Sequence, residues 1–306
     1  IRDAQESRGL GDVYKRQSDN DVKNIDLAKI EEQGTIFKKL GQYFIGSKEK
    51  TEKQEGKTAD NKEEIVNKEA SIDVPDEVTK GGELKIALIS SPKNLDPVKY
   101  TGTYEAQILY QVCDTVVTYD KEIANIKPSL ATEWTISEDG MEYLFTIRDD
   151  VYFHPGKFQD GRKMTAEDVA YSLNRSAKES ALQRLDMLDY AEAVDETHVK
   201  AVLKAPSAVF MTALTNIGNG IVPKEEVEGW GDEFGNHLVG TGPFMMEKFS
   251  LDQQTELVKN EKYFLGEPNL DRVVFKVITD QNQEVNALRT GEIDIAMQIS
   301  GAVSYT

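Results

Sequence analysis

The spacing of apolar and polar positions changes twice between residues 128 and 175, and each change predicts a different element. Apolar side chains alternate with polar ones from Tyr143 to Ile147, as they do in a half-buried β-strand. A similar run surrounds Trp134. The segment 138–140 between the two runs predicts a tight hairpin in which Gly140 takes a positive φ. This part of the chain therefore predicts two antiparallel strands.

A helix is predicted after these strands. Pro155 ends the sheet because proline cannot donate a ladder hydrogen bond, and helical spacing begins after Gly161. Thr165 is a good N-cap, and Asp168, three residues later, can complete a capping box. Small or apolar residues then fall on one helix face: Ala166, Val169, Ala170 and Leu173.

A second strand–helix unit lies closer to the N-terminus. The apolar residues from Leu84 to Leu88 alternate as in a strand. After a loop, Thr103 is placed to cap a helix that begins near Tyr104, with Glu105 in its first turn.

A third unit lies near the C-terminal end. The apolar run 273–278 predicts a strand, and Asp280 can cap the helix that follows. In that helix Val285 and Leu288 are expected to face inward, and Gly291 is expected to end it. Another strand follows, and this β–α–β order predicts a mainly α/β fold.

Composition narrows the class of protein. The chain has 306 residues, of which 39% are hydrophobic and 29% are charged, so it can build a sizeable core. Its formal net charge of −18 argues against nucleic acid as a partner. The single cysteine, Cys113, excludes an internal disulfide and is expected to be a buried, inert thiol.

The sequence lacks the motifs of catalysis and metal binding. His154, His198 and His237 do not have the spacing of a zinc site, and a structural or surface role is expected for His154. The Gly-x-Gly pairs at 218–220 and 240–242 lack the context of a dinucleotide site and are expected to be turns. We therefore expect a protein that is not an enzyme and that needs no cofactor and no metal.

Several blocks of the sequence occur together, in this order, in one known family. The block at 128–175 begins PSLATEWTISEDGMEYLFTIRDDVYFH. It is preceded by GGELKIAL at 81–88 and followed by GTGPF at 240–244 and ALRTGEIDIA at 287–296. Through these blocks, residues 81–300 resemble the extracellular solute-binding proteins of family 5, the oligopeptide- and dipeptide-binding proteins of bacterial ABC importers.

The resemblance implies a mixed α/β, type II periplasmic-binding-protein fold. The chain would hold lobe I of that fold with its inserted subdomain, and the second lobe would be missing. The implied division is 81–113 for the first part of lobe I, 114–206 for the inserted subdomain and 207–302 for the rest of lobe I.

The two ends of the chain are expected to lie outside the folded lobe. Codons for residues 7–17 can spell a sequencing adapter, and the last four residues fit its reverse complement, so 1–17 and 303–306 are expected to be adapter artefacts. Residues 18–80 are expected to be a charged, largely disordered tether that can include a short helix.

Binding is the function that the residues favour. An extended peptide needs free backbone groups, small residues for close approach and aromatic walls, and the segment 100–104 supplies all three. The resemblance places this segment at the ligand, although a plain helix-entry loop is the alternative. The candidate ligand-binding residues are Tyr100, Thr101, Gly102, Thr103, Tyr104, Met297 and Gln298.

The resemblance also implies partners and a location. A monomeric substrate-binding component would capture extracellular peptides and deliver them to ABC permease subunits. It would act in the periplasm or at the outer face of the cell membrane, with a lipid anchor in the full-length protein. Two alternatives remain: a non-peptide solute such as nickel, a glycan or another small metabolite, and a surface-displayed interaction protein.

Overall fold

The computed structural model describes residues 80–121 and 123–297. The predicted adapter residues 1–17 and 303–306 lie outside the described residues. The same holds for Gln298 and for all but the last residue of the predicted tether at 18–80.

The described residues form eleven β-strands and five α-helices. The strands are β1 (Glu83–Leu88), β2 (Val117–Tyr119), β3 (Ile126–Pro128), β4 (Ala131–Ile136), β5 (Glu142–Ile147), β6 (Leu188–Ala193), β7 (His198–Leu203), β8 (Phe244–Ser250), β9 (Gln254–Lys259), β10 (Arg272–Val277) and β11 (Ile295–Ala296). The helices are α1 (Thr103–Val112), α2 (Ala166–Glu179), α3 (Phe210–Leu214), α4 (Lys224–Trp230) and α5 (Gln281–Thr290). None of these helices is long and apolar enough to cross a bilayer.

The larger sheet has five strands in the order β11-β1-β10-β9-β8. β1 pairs in parallel with β10 and β11, whereas β8, β9 and β10 pair antiparallel. α5 makes the crossover from β10 to β11, which a parallel connection requires. This β–α–β unit confirms the α/β prediction for the end of the chain.

The second sheet has the order β4-β5-β7-β6 and is antiparallel throughout. Its first two strands are joined by the predicted hairpin, in which Gly140 has a φ of 70°. α2 packs against β6 and β7, and Phe145, Leu173 and Val199 are fully buried in the core of this region. Burial of each such side chain contributes about 1.5–3 kcal/mol.

The start of α2 forms the predicted capping box. Asp168 Oδ2 accepts hydrogen bonds from the backbone amide and the hydroxyl of Thr165, both at 2.9 Å. The same carboxylate accepts two hydrogen bonds from Arg162, at 2.7 and 2.6 Å. Arg162 also pairs with Glu225 of α4, so the cap fastens α4 to the start of α2.

The start of α1 differs from the sequence prediction. Its N-cap is Gly102 in an extended conformation, and Thr103 is the first helical residue. Glu105 folds back against this cap, because a Cβ at position 102 would lie 2.4 Å from Glu105 Oε2. Glu105 Oε1 also accepts the Lys93 amide at 2.8 Å. The prediction that Thr103 caps the helix is therefore wrong, whereas Glu105 lies in the first turn as predicted.

The ends of α5 agree with the sequence prediction. Asp280 Oδ1 accepts the amide of Gln283 at 2.8 Å, which is the predicted N-cap. Gly291 ends the helix in the left-handed region with a φ of 74°, as predicted.

The buried face of α5 differs from the face that the sequence predicted. Glu284 and Ala287 are the buried residues of this helix, whereas Leu288 is 38% exposed. Ala287 packs in a small core cluster with Ala87 of β1 and with Ile293. A side chain as small as alanine lets α5 lie close to the sheet, so the prediction that Leu288 faces inward is wrong.

Cys113 lies directly after α1 and is buried and free of disulfides. Burial raises the pKa of its thiol well above the usual value, so the reactive thiolate is disfavoured. The expectation of a buried thiol is confirmed.

Candidate functional site

Three loops meet beside the N-terminal end of α1, and we call them the three-loop cluster: residues 90–102, 180–187 and 215–220. The first two loops are joined by a backbone hydrogen bond from Ala181 N to Val98 O at 2.9 Å. The cluster contains the beginning of the predicted ligand-binding segment.

A buried ion pair anchors the first loop to α2. Arg175 donates two hydrogen bonds to the carboxylate of Asp96, at 2.9 and 2.6 Å. The two side chains are 5% and 1% exposed. The Asp96 carbonyl in turn accepts the amide of Tyr100 at 3.0 Å, which closes the loop into a turn. Because both charges are removed from water, losing Arg175 would leave the Asp96 carboxylate buried without its cation, whereas Arg175 also pairs with Glu179 at 3.1 Å.

Tyr100 connects the first loop to the third. Its ring is buried, and its hydroxyl donates to Asn216 Oδ1 at 3.0 Å. The same Asn216 oxygen accepts the amide of Gly218 at 2.9 Å. Asn219, in the same turn, hydrogen-bonds Ser176 of α2 at 2.5 Å. Tyr100 therefore supports the cluster from inside.

Arg184 connects the second loop to the other two. Its guanidinium lies over the ring of Tyr100, 4.1 Å from the centroid, and Nη2 donates to the Tyr100 carbonyl at 2.8 Å. The side chain also passes across Gly218, where an added Cβ would lie 2.4 Å from Arg184 Cδ. Sequence reasoning missed Arg184, and the only available signal was a cation in a strongly acidic chain.

The other predicted residues of this segment point to solvent to different degrees. Thr101 and Thr103 are exposed, and Gly102 and Tyr104 are partly exposed. The structure therefore places small, accessible residues directly after the buried Tyr100. Such a segment leaves backbone groups within reach of an extended ligand.

The second predicted patch adjoins Tyr104. Burial and the nearby charge of Glu284 raise the pKa of the Tyr104 hydroxyl. Burial likewise raises the pKa of Glu284, and the backbone of Met297 partly offsets that rise. Met297 is partly exposed at the end of β11. Tyr104 and the backbone of Met297 therefore both lie near the carboxyl group of Glu284.

Behind the cluster, the glycine-rich turn 240–242 packs against the end of α1. The amide of Gly242 donates to Val112 O at 2.9 Å, and a Cβ at Gly240 would lie 2.1 Å from the same oxygen. The hydroxyl of Thr241 donates to the half-buried Asp114 at 2.9 Å. Burial raises the pKa of Asp114 to about 6. The prediction that this segment is a turn that feeds a strand is confirmed, since β8 begins at residue 244.

His154 supports the same turn from the other side. Its Nε2 donates to Gly242 O at 2.8 Å, and its backbone amide donates to Gly240 O at 2.8 Å. Burial lowers the pKa of His154 to about 4, so the imidazole is neutral near pH 7. The expected structural role of this histidine is confirmed. No group of three metal-ligating side chains occurs in the described part of the chain.

A separate cavity of about 340 Å³ lies between the segment 154–157, α4 and β8. Trp230 and His237 form one wall, with parallel rings 3.5 Å apart between centroids. None of the predicted ligand-binding residues lines it. This concavity is therefore distinct from the three-loop cluster.

Known proteins match most of this chain. The family model of the bacterial extracellular solute-binding proteins, family 5 middle region, matches residues 125–305, more than half of the chain. Di/tripeptide-binding protein 2 of Pseudomonas aeruginosa is 30% identical in an alignment of 239 positions that covers 70% of this chain and 44% of that protein.

Solved structures agree with this match. The periplasmic binding protein DppA from Helicobacter pylori, in complex with the peptide STSA, has a TM-score of 0.65 and 28% identity over 70% of this chain and 46% of its own. MoaA from A. tumefaciens R10, in complex with mannopinic acid, has a TM-score of 0.66 and 28% identity over 71% of this chain and 45% of its own. The chain thus spans less than half the length of the relatives it matches.

Proposed function

The chain belongs to the bacterial extracellular solute-binding proteins of family 5, and we propose that it is part of a component that captures peptides for an ABC importer. The described residues have the mixed α/β fold of part of a type II periplasmic binding protein. The observation that carries the peptide assignment is the accessible segment 101–104, which follows the buried, hydrogen-bonded Tyr100. A rigid loop with accessible backbone groups suits an extended peptide.

The ligand site of this proposal consists of Tyr100, Thr101, Gly102, Thr103, Tyr104, Met297 and Gln298. Tyr100 would act as a support, and Thr101 and Gly102 would offer backbone groups to the ligand. Met297 would border the site from β11. The peptide-binding names of the relatives favour a peptide, and the mannopinic acid complex keeps a small non-peptide metabolite as the alternative.

The division of the chain follows from the same proposal. Residues 81–113 and 207–302 would form lobe I around the five-stranded sheet, and residues 114–206 would form the inserted subdomain with the four-stranded sheet. In the whole protein, two lobes would close about a hinge on the ligand and present a closed surface to the permease. That protein would work outside the cytoplasm as a lipid-anchored monomer.

One lobe covers only one side of a ligand, whereas tight small-molecule sites bury roughly 70–90% of the ligand surface. We therefore expect this chain alone to bind a peptide weakly, and the test must detect weak binding. Backbone amide NMR with trialanine at millimolar concentration meets this need. Shifts at residues 100–104 and 297 are the expected result, with the outer strand β6 as the unshifted reference.

The same titration distinguishes the alternatives. Shifts of the segment 100–104 with mannopinic acid or a nickel–histidine complex, but not with trialanine, would replace the peptide by a non-peptide solute. If no solute moves these amides, the proposed site is wrong.

A further inference from the structure

We propose that Arg184 is the residue of this site that binds a carboxylate of the ligand, so that the free acid of a peptide is preferred to its amide. This inference rests on the proposed function, because it names a specificity-determining residue of the same site. Three observations carry it: the fixed position of the guanidinium, its unused donors and the absence of an acidic partner in the described part of the chain.

The position of Arg184 is set by several contacts. The guanidinium lies over the Tyr100 ring, Nη2 donates to the Tyr100 carbonyl at 2.8 Å, and Nη1 donates to Ser180 Oγ at 3.3 Å. The residue before it, Gln183, has a φ of 50°, in the left-handed region that a non-glycine residue adopts at a cost. An ordered guanidinium loses less rotamer entropy when it binds a ligand.

The donors of this guanidinium are not all used. An arginine side chain carries five N–H donors in a planar fork, which matches the geometry of a carboxylate. Only two acceptors, the Tyr100 carbonyl and Ser180 Oγ, are found for Arg184 among the described residues. The side chain is partly exposed, so the remaining N–H groups can reach a ligand.

The absence of a carboxylate partner distinguishes Arg184 from most arginines of the described residues. Four other arginines of the described residues pair with carboxylates: Arg148 with Asp150, Arg162 with Asp168, Arg175 with Asp96, and Arg272 with Glu256. None of the ion pairs formed within residues 80–121 and 123–297 includes Arg184, whose acceptors there are Ser180 Oγ and the Tyr100 carbonyl, although the whole chain carries a net charge of −18. A fixed cation without a counter-ion at a predicted ligand face is complementary to an anionic group.

Arg289 provides the matched control. It is exposed in the last turn of α5, and the structure gives it no carboxylate partner among the described residues. Within residues 80–121 and 123–297 it has no ring contact or side-chain hydrogen bond of the kind that fixes the guanidinium of Arg184. Arg184→Gln and Arg289→Gln therefore each remove one positive charge, but only Arg184→Gln removes a guanidinium that is held in a fixed position.

The experiment uses the whole chain and compares trialanine, trialanine amide and the amide of Ala-Glu-Ala. The readouts are the backbone amides of residues 100–104 and the side-chain Nε–H resonance of Arg184, which is identified by its loss in Arg184→Lys. We expect the unsubstituted chain and Arg289→Gln to bind trialanine about tenfold more tightly than its amide, as a charge-assisted hydrogen bond allows. We expect Arg184→Gln to bind both equally.

Each outcome decides a different point. If Ala-Glu-Ala amide binds more tightly than trialanine amide, Arg184 binds a carboxylate of a ligand side chain. If trialanine binds more tightly than its amide, Arg184 binds the C-terminal carboxylate. Equal binding of trialanine, trialanine amide and Ala-Glu-Ala amide by the unsubstituted chain overturns the role of Arg184 and leaves the proposed function standing. A parallel loss of both ligands in Arg184→Gln also overturns it, because that result fits a purely structural arginine. If no ligand moves any resonance of the site, both proposals fail.

Discussion

His154 and Asp114 both contact the turn 240–242, and their pKa values are shifted so that their effects on stability oppose each other. Burial lowers the pKa of His154 from 6.5 to about 4. The unfolded chain then binds a proton first as the pH falls, so acidification destabilises the folded state. Burial raises the pKa of Asp114 from 3.8 to about 6, so in this case the folded state binds the proton first and is stabilised.

The two contributions are of similar size. One pKa unit corresponds to ~1.4 kcal/mol, so a shift from 6.5 to about 4 costs the folded state about 3 kcal/mol once the pH has fallen through that window. The shift of Asp114 from 3.8 to about 6 contributes about 3 kcal/mol in the opposite direction. Between about pH 4 and pH 6 the two contributions therefore largely cancel.

Replacing one of the two titrating side chains should expose the pH dependence that the other contributes to stability. Glutamine at position 154 can donate to the Gly242 carbonyl without titrating. We therefore expect the free energy of unfolding of His154→Gln, relative to the unsubstituted chain, to rise by about 2–3 kcal/mol from pH 7 to pH 4. For Asp114→Asn, which can still accept from Thr241, the same difference should fall by about 2 kcal/mol.

Urea denaturation followed by tryptophan fluorescence at several pH values measures these differences. Subtracting the unsubstituted chain removes the titration of the groups that the substitution does not affect. If either variant gives a difference that is constant with pH, the assigned pKa shift is wrong. If both differences change in the same direction, the opposition of the two groups is refuted.

Three further predictions concern packing. Arg175→Met should destabilise the chain by about 3–5 kcal/mol in urea denaturation, because it leaves the Asp96 carboxylate buried without its cation. Adding Asp96→Ala should recover much of that loss, and a double variant as unstable as the single one would contradict this. Gly240→Ala should destabilise the chain by about 1–3 kcal/mol or more, because the new Cβ would lie 2.1 Å from the carbonyl oxygen of Val112. A thermal midpoint equal to that of the unsubstituted chain would show that the turn can move. Leu288→Gln should change the free energy of unfolding by less than about 0.5 kcal/mol, because Leu288 is exposed. Ala287→Leu should lower the free energy of unfolding by about 1–3 kcal/mol, because Ala287 is buried. The reverse order would mean that α5 packs through its other face.

The sequence alone determined the features that depend on residues close together in the chain. The hairpin at Gly140, the capping box of Thr165 and Asp168, and the two ends of α5 are fixed by backbone preferences and by contacts over two to five residues. These signals are local and survive in almost any surrounding structure.

The tertiary structure decided which side chains meet across the chain. Arg184 and Tyr100 are separated by 84 positions, Arg175 and Asp96 by 79, and His154 and Gly242 by 88. The buried face of α5 likewise depended on a neighbour outside the helix, namely the sheet that the helix approaches closely. Periodicity gives the polarity of a position and not its partner, because a partner is selected by packing, desolvation and charge only after distant segments have been brought together.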